Sequence, residues 1–237
     1  MGKFLLCYLV GGLVAISWAA LPAHGPWEQW DLAIFHTVNG WLGQLPLWAD
    51  LVAITNNRLF DLAVLACMGL ILARCFFARD LAGRRQLVAM GIVMLFSALA
   101  INQLGHQLPV ERPSPTLMVS DALRVTHLSA IPTKDSSGDS FPGDHALFLM
   151  IFAGFALRYL PRWAGVSALL MVPIFSAPRI LAGAHWFTDV YVGALGLATL
   201  CLPWLLLTPL ADRLIARIVP YLAPLPLLRS QTHSQTH

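Results

Sequence analysis

Leu87-Val-Ala-Met-Gly-Ile-Val-Met-Leu-Phe-Ser-Ala-Leu-Ala-Ile-Asn-Gln-Leu104 runs eighteen residues without a formal charge, and it decides the class of fold. A helix crossing the hydrocarbon core of a bilayer needs about 20 residues, and an uncharged apolar run of this length reads as such a span. Five more runs stand beside it: Phe4–Leu21, Leu62–Phe77, Ala146–Leu160, Ala164–Leu181 and Val190–Leu207. The composition agrees. Only 11% of the chain is charged, against about 25% in soluble domains, and the mean hydropathy is +0.68. Backbone in lipid must satisfy its own hydrogen bonds, so the spans are expected to be helical. The expectation is an all-α integral membrane protein with six transmembrane helices. It forms one domain over residues 1–228, with a disordered tail at 229–237.

The connections carry further signals. Lys3 followed by an apolar run resembles a signal peptide, but the run is long enough to span and Leu21-Pro22-Ala23 is a poor cleavage site, so a retained first helix is expected. Trp27, Trp30, Leu32, Phe35, Val38, Trp41 and Leu42 recur on a helical period within Trp27–Asp50, which predicts an interfacial amphipathic helix. Pro209–Leu228 is amphipathic too. The longest loop, Gly105–Gly143, joins spans three and four, with a short helix expected near Asp121–Leu128. Loops of this length tend to be functional or disordered. Cys7, Cys67, Cys75 and Cys201 lie in or at the ends of apolar runs, without metal-site spacing, and read as packing residues. The net charge of +3 is too small to suggest nucleic acid.

Basic residues set the orientation. Lys3, Arg74, Arg79, Arg84, Arg85, Arg158, Arg162, Arg213, Arg217 and Arg229, ten of the fifteen, fall on one side, which should be cytoplasmic. Arg58, Arg112, Arg124, Lys134 and Arg179 fall on the other, together with ten of the twelve acids. Cations on the disfavoured side invite a reason such as phosphate binding.

Three polar pieces converge on that outer side. In the third, His185 and Asp189 are four residues apart and share a face if helical. A carboxylate on one imidazole nitrogen fixes the tautomer and frees the other for attack. Arg179, six residues upstream of His185, can grip phosphate oxygens with its planar fork. The second piece, Ser140-Phe141-Pro142-Gly143-Asp144-His145, reads as a helix start. Asp139 or Ser140 would cap and Pro142 would sit in the first turn. Free amides near Gly143 and Asp144 would offer an anion site, with His145 placed to donate a proton. The first piece, Glu111-Arg112-Pro113-Ser114-Pro115, adds Arg112. Each piece alone also fits a polar helix end or a solvated loop.

In this order the pieces resemble the type 2 phosphatidic acid phosphatase superfamily, whose pattern is Lys-x6-Arg-Pro, then Pro-Ser-Gly-His, then Ser-Arg-x5-His-x3-Asp. The resemblance implies His185 as nucleophile forming a phosphohistidine, Asp189 orienting it and His145 protonating the leaving group. Arg112 and Arg179 would bind phosphate, with no metal or other cofactor. The chain departs from the pattern: Gly105 stands where the first lysine falls, for which Lys134 could substitute. Asp144 replaces a small residue, and a carboxylate beside phosphate is unfavourable unless it turns aside to bond Lys134 or an arginine. Thr55-Asn56-Asn57-Arg58, Pro132-Thr133-Lys134-Asp135 and Gly183-Ala184-His185-Trp186-Phe187-Thr188-Asp189 are similar to one branch, the lipid A 1-diphosphate synthases of the Gram-negative inner membrane. That implies undecaprenyl pyrophosphate as donor, lipid A 1-phosphate as acceptor and a periplasmic site bordered by bilayer lipids. Ser140, Gly143, Asp144 and Lys134 would then line the phosphate site. The alternative is a phosphatase of the same fold, acting on undecaprenyl pyrophosphate or lipid A 1-phosphate with water as acceptor. A channel would be expected to place ionisable residues deep in the spans, and here they lie at the ends.

Overall fold

The computed structural model describes residues 2–45, 47–225 and 228, and among these residues there are helices and no strand. The helices are α1 (Gly2–Ala19), α2 (Pro26–Gln44), α3 (Trp48–Thr55), α4 (Arg58–Phe77), α5 (Leu81–His106), α6 (Pro115–Met118), α7 (Val125–Leu128), α8 (Asp144–Tyr159), α9 (Arg162–Leu181), α10 (Leu195–Leu206) and α11 (Leu210–Leu222). A π-helical stretch, Asp189–Ala194, leads directly into α10.

Four segments are long and apolar enough to cross a membrane: Arg58–Phe77, Leu81–His106, Arg162–Leu181 and Asp189–Leu206. The two other expected spans are shorter, with α1 apolar over Phe4–Ala19 and α8 only 16 residues long. The helices begin where capping chemistry allows. Asp80 accepts from the Gly83 amide at 2.9 Å ahead of α5, and Asn57 accepts from the Leu59 amide at 2.8 Å ahead of α4. The core lies around α8, which packs against α5, α9 and α10. Leu147, Ile151, Phe152 and Phe155 are fully buried, as expected of a helix that is apolar on all sides. Conversely α4 turns Leu59, Leu62, Leu65 and Leu70 outward, in a helix long and apolar enough to cross a membrane. All four cysteines are free, and Cys75 is buried.

Several expected elements differ in detail. The single amphipathic helix over Trp27–Asp50 is two helices, because the chain breaks at Leu45, whose extended backbone is the conformation favoured ahead of a proline. The buried stripe of α2 is Asp31, Phe35, Val38, Asn39 and Leu42, while Trp30 and Trp41 are exposed. The stripe therefore carries polar side chains toward the interior. In the long loop the helix covers Val125–Leu128 and not Asp121, and α6 forms in addition. The loop is also well tied. Asn39 exchanges two hydrogen bonds with the backbone of Leu123 (2.8 and 2.9 Å), Asp50 accepts from Ser129 (2.6 Å), and Asn56 and Asn57 donate to the carbonyls of Lys134 and Pro132. The expected tail at 229–237 lies outside the described residues.

Candidate active site

The end of α9 creates the first half of the site. Gly183 follows the last helical turn with φ +71°, a conformation that a side chain would strain. An added Cβ would also lie 2.7 Å from Thr116 and 3.0 Å from Phe35. This reversal brings the amides of Ala184 and His185 back onto the Arg179 carbonyl at 3.0 and 3.2 Å. His185 therefore sits in a turn ahead of the next helix and not on a shared helical face with Asp189. The two are nevertheless close, with His185 Nδ1 3.5 Å from Asp189 Oδ2. The nearer partner of Nδ1 is the Ser140 carbonyl at 2.8 Å. A carbonyl only accepts, so in the neutral imidazole the proton sits on Nδ1 and the lone pair on Nε2. Nε2 has no partner among the described residues.

Asp189 is buried and fully engaged. Its Oδ2 accepts the Trp186 amide at 2.8 Å and its Oδ1 accepts from Arg112 at 3.0 Å. Arg112 also donates to Thr188 Oγ1 and to Asp31 Oδ2, both at 2.6 Å, and its guanidinium lies over the Trp186 ring, 4.9 Å from the centroid. Asp31 in turn accepts the Thr188 amide at 2.9 Å and the Thr188 hydroxyl at 2.6 Å. Arg112 thus buckles two buried carboxylates together. None of the three sequence motifs contains Asp31. Its signal was an acid on the buried stripe of α2, four residues before Phe35, where a charge needs a partner.

The second half surrounds the start of α8. The N-cap is Gly143, Pro142 precedes it, and neither Asp139 nor Ser140 caps the helix. The Ser140 hydroxyl and amide both go to the Arg112 carbonyl, at 2.9 and 2.7 Å. The Gly143 amide goes to the Asp189 carbonyl at 3.0 Å, which joins the two halves. The first bond into α8 runs from the Leu147 amide to the Gly143 carbonyl at 3.0 Å, so the amides of Asp144, His145 and Ala146 lie ahead of the helical bonding pattern, and the positive end of α8 would favour an anion. Arg179, buried at the end of α9, donates to Asn56 and to Asp61 and lies 3.0 Å from His145 Nε2. Asp61 Oδ1 is 3.5 Å from the same His145 nitrogen. Asn56 and Asp61 are further site residues that the motifs did not reveal, although Asn56 lies in a string already singled out.

Two expected positions behave differently. Lys134 is exposed, and its ammonium makes no ion pair or hydrogen bond among the described residues; only its carbonyl touches the site, through Asn56. Asp144 does not reach Lys134 or an arginine. Its Oδ1 lies 3.1 Å from His106 Nε2 in the last turn of α5. Among the described residues no group of three or more His, Cys, Asp or Glu could hold a metal ion. Two cavities flank the site. One of about 480 Å³ has Asp61, Asp144 and His145 at one end and Met68, Met94 and Phe152 along its walls. The other, about 630 Å³, lies beside Arg112, Trp18 and Phe141.

Residues 86–211 match the PAP2 superfamily, and the chain belongs to it. It is also 45% identical over 214 residues, covering 90% of each chain, to the lipid A 1-diphosphate synthase of Escherichia coli (strain K12). No solved structure matches it. Family and relative together place the chain among the lipid phosphatases and phosphotransferases.

Proposed function

We propose that this protein transfers the terminal phosphate of undecaprenyl pyrophosphate to lipid A 1-phosphate, giving lipid A 1-diphosphate and undecaprenyl phosphate. The observation that carries the chemistry is His185, with Nδ1 held by the Ser140 carbonyl and Nε2 unengaged. Identity to the Escherichia coli enzyme supports the choice of substrates. In the first displacement His185 Nε2 attacks the terminal phosphorus. The bond to the bridging oxygen breaks, its electron pair leaves with undecaprenyl phosphate, and His145 supplies a proton. In the second, a hydroxyl oxygen of the lipid A 1-phosphate gives its proton back to His145 and attacks the phosphohistidine, the P–N bond breaks, and the electron pair returns to Nε2. Phosphoryl transfer depends mainly on positioning and on stabilising charge. Here Arg179 and the α8 amides would hold the equatorial oxygens, the phosphate taking the place that Asp61 occupies on Arg179. Asp189 reaches His185 while Arg112 and Asp31 fix its carboxylate, so Arg112 acts on the site through Asp189. No metal is required.

In this reading α1, α4, α5, α8, α9 and the helix from Asp189 to Leu206 all span the inner membrane as one domain, and the site faces the periplasm. The short α8 is accommodated because its neighbours bury it. The cavity lined by Asp61, Asp144 and His145 would give a lipid chain its approach to the site. The test is purified protein with donor labelled in the terminal phosphate, with and without lipid A. Label on lipid A is expected; label released only as free phosphate would make the protein a phosphatase. Orientation is tested by an impermeant thiol reagent on intact spheroplasts of variants lacking the native cysteines. A single cysteine placed at Ser120 should react and one at Gly83 should not.

A further inference from the structure

Asp144 is the first residue of α8, beside His145 and at the amides that would receive the phosphate. A carboxylate there would repel an anionic substrate, yet the side chain has one clear electrostatic partner. Asp144 Oδ1 is sealed from solvent and makes no aligned hydrogen bond, and His106 Nε2 stands 3.1 Å away. His106 closes α5, where the negative end of the helix favours a cation. Its neighbour explains why the basic residue is at 106. Gly105 is buried, and a Cβ there would lie 2.7 Å from the Pro142 ring and 2.8 Å from Leu197. A side chain at 105 would push apart α5 and the segment that leads into α8, whereas the next position points to the end of α8 without that conflict.

We propose that His106 is a positioning residue for the phosphate seat: it draws the Asp144 carboxylate toward α5 and compensates its charge, leaving the α8 amides and His145 to the substrate phosphate. This rests on the proposed seating of phosphate at the start of α8. A purely structural His106 would only cap α5, and its loss would then lower thermal stability without a selective effect on substrate binding. The two roles separate in a double-mutant cycle, because the proposed role exists only while Asp144 carries a charge.

The experiment compares wild type, His106→Gln, Asp144→Asn and the double variant, each purified in detergent and assayed for initial rates over a range of labelled undecaprenyl pyrophosphate. His106→Gln should raise the donor KM about tenfold with kcat within about twofold, as expected when ground-state and transition-state binding are lost together. In the Asp144→Asn background the same substitution should change KM by less than about twofold. His106→Lys, which keeps a cation at the position, should hold KM within about threefold of wild type and serves if the glutamine variant fails to fold. The proposal is overturned if His106→Gln leaves KM unchanged, if its effect is equally large with Asp144→Asn, or if His106→Lys is as impaired as His106→Gln. His185→Ala, run alongside, tests the underlying reading separately. Turnover by that variant would remove the phosphohistidine, while the cycle still reports on the pair.

Discussion

Arg112→Met places the sharpest demand on the site geometry. The guanidinium lies between Asp31 and Asp189, whose side chains are both 0% exposed, and is itself 12% exposed. Methionine keeps most of the length and apolar stem but removes donors at 2.6, 2.6 and 3.0 Å. Removing one partner of a buried ion pair costs about 3–5 kcal/mol, because a charge is left uncompensated. Here two carboxylates lose their shared cation, so a value near the upper end is expected. For a chain of this size each kcal/mol shifts the midpoint by about 2–4 °C, which gives a fall of roughly 10–20 °C in the apparent thermal midpoint, read by tryptophan fluorescence in detergent. Activity should fall with it, since Asp189 is then free to turn from His185. Adding Asp31→Asn should recover part of the loss by removing one uncompensated charge, with a coupling of about 0.5–3 kcal/mol. If Arg112→Met instead keeps the wild-type midpoint and only raises KM, then Arg112 contacts substrate and the buckle is refuted.

Three further outcomes follow. His185→Ala should abolish transfer without unfolding the protein, and Asp189→Asn should impair it severely; labelled donor in a single-turnover experiment decides, and substantial turnover by His185→Ala would contradict covalent catalysis. Ser140→Ala should lose about 1 kcal/mol of stability, for the hydroxyl bond to the Arg112 carbonyl, and keep activity within about threefold, because His185 uses the Ser140 carbonyl; a hundredfold loss would place the hydroxyl on the substrate. Burial pushes the Asp135 carboxyl up, but bonds from Arg124 and from the Thr126 amide and hydroxyl outweigh it and hold it below the usual carboxylate range. A depressed folded-state pKa means that this stabilisation is fully present above the unfolded value, about 3.9, and is lost as pH falls through the folded one. Asp135→Asn should therefore be less stable than wild type at pH 7, with the gap closing below pH 4; a constant gap across that range would rule out the linkage.

The all-helical class, with helices long and apolar enough to cross a membrane, was legible because it depends on local quantities: run length, absence of charge, and the need of backbone in lipid to bond within its own segment. That His185 lies near Asp189, and Arg179 near His145, was legible because each side chain lies within a few residues of a helix end, and the spacing there is itself local. The roles of single groups were not. Ser140 reads as a capping hydroxyl, but its amide and its hydroxyl both bond the Arg112 carbonyl, and its own carbonyl is left to His185. Arg112 reads as a loop cation held by Pro113, and nothing local announces that α2 lays Asp31 beside it, 81 residues away in sequence. Asp144 reads as a partner for Lys134 until the end of α5 supplies His106, 38 residues earlier and on a different helix. Motif spacing fixes which groups stand at one end of a helix. Which of them face each other across the bundle is set by helix packing: an acid on an apolar stripe, such as Asp31, shows that a cation must meet it, but the sequence carries no mark of which one.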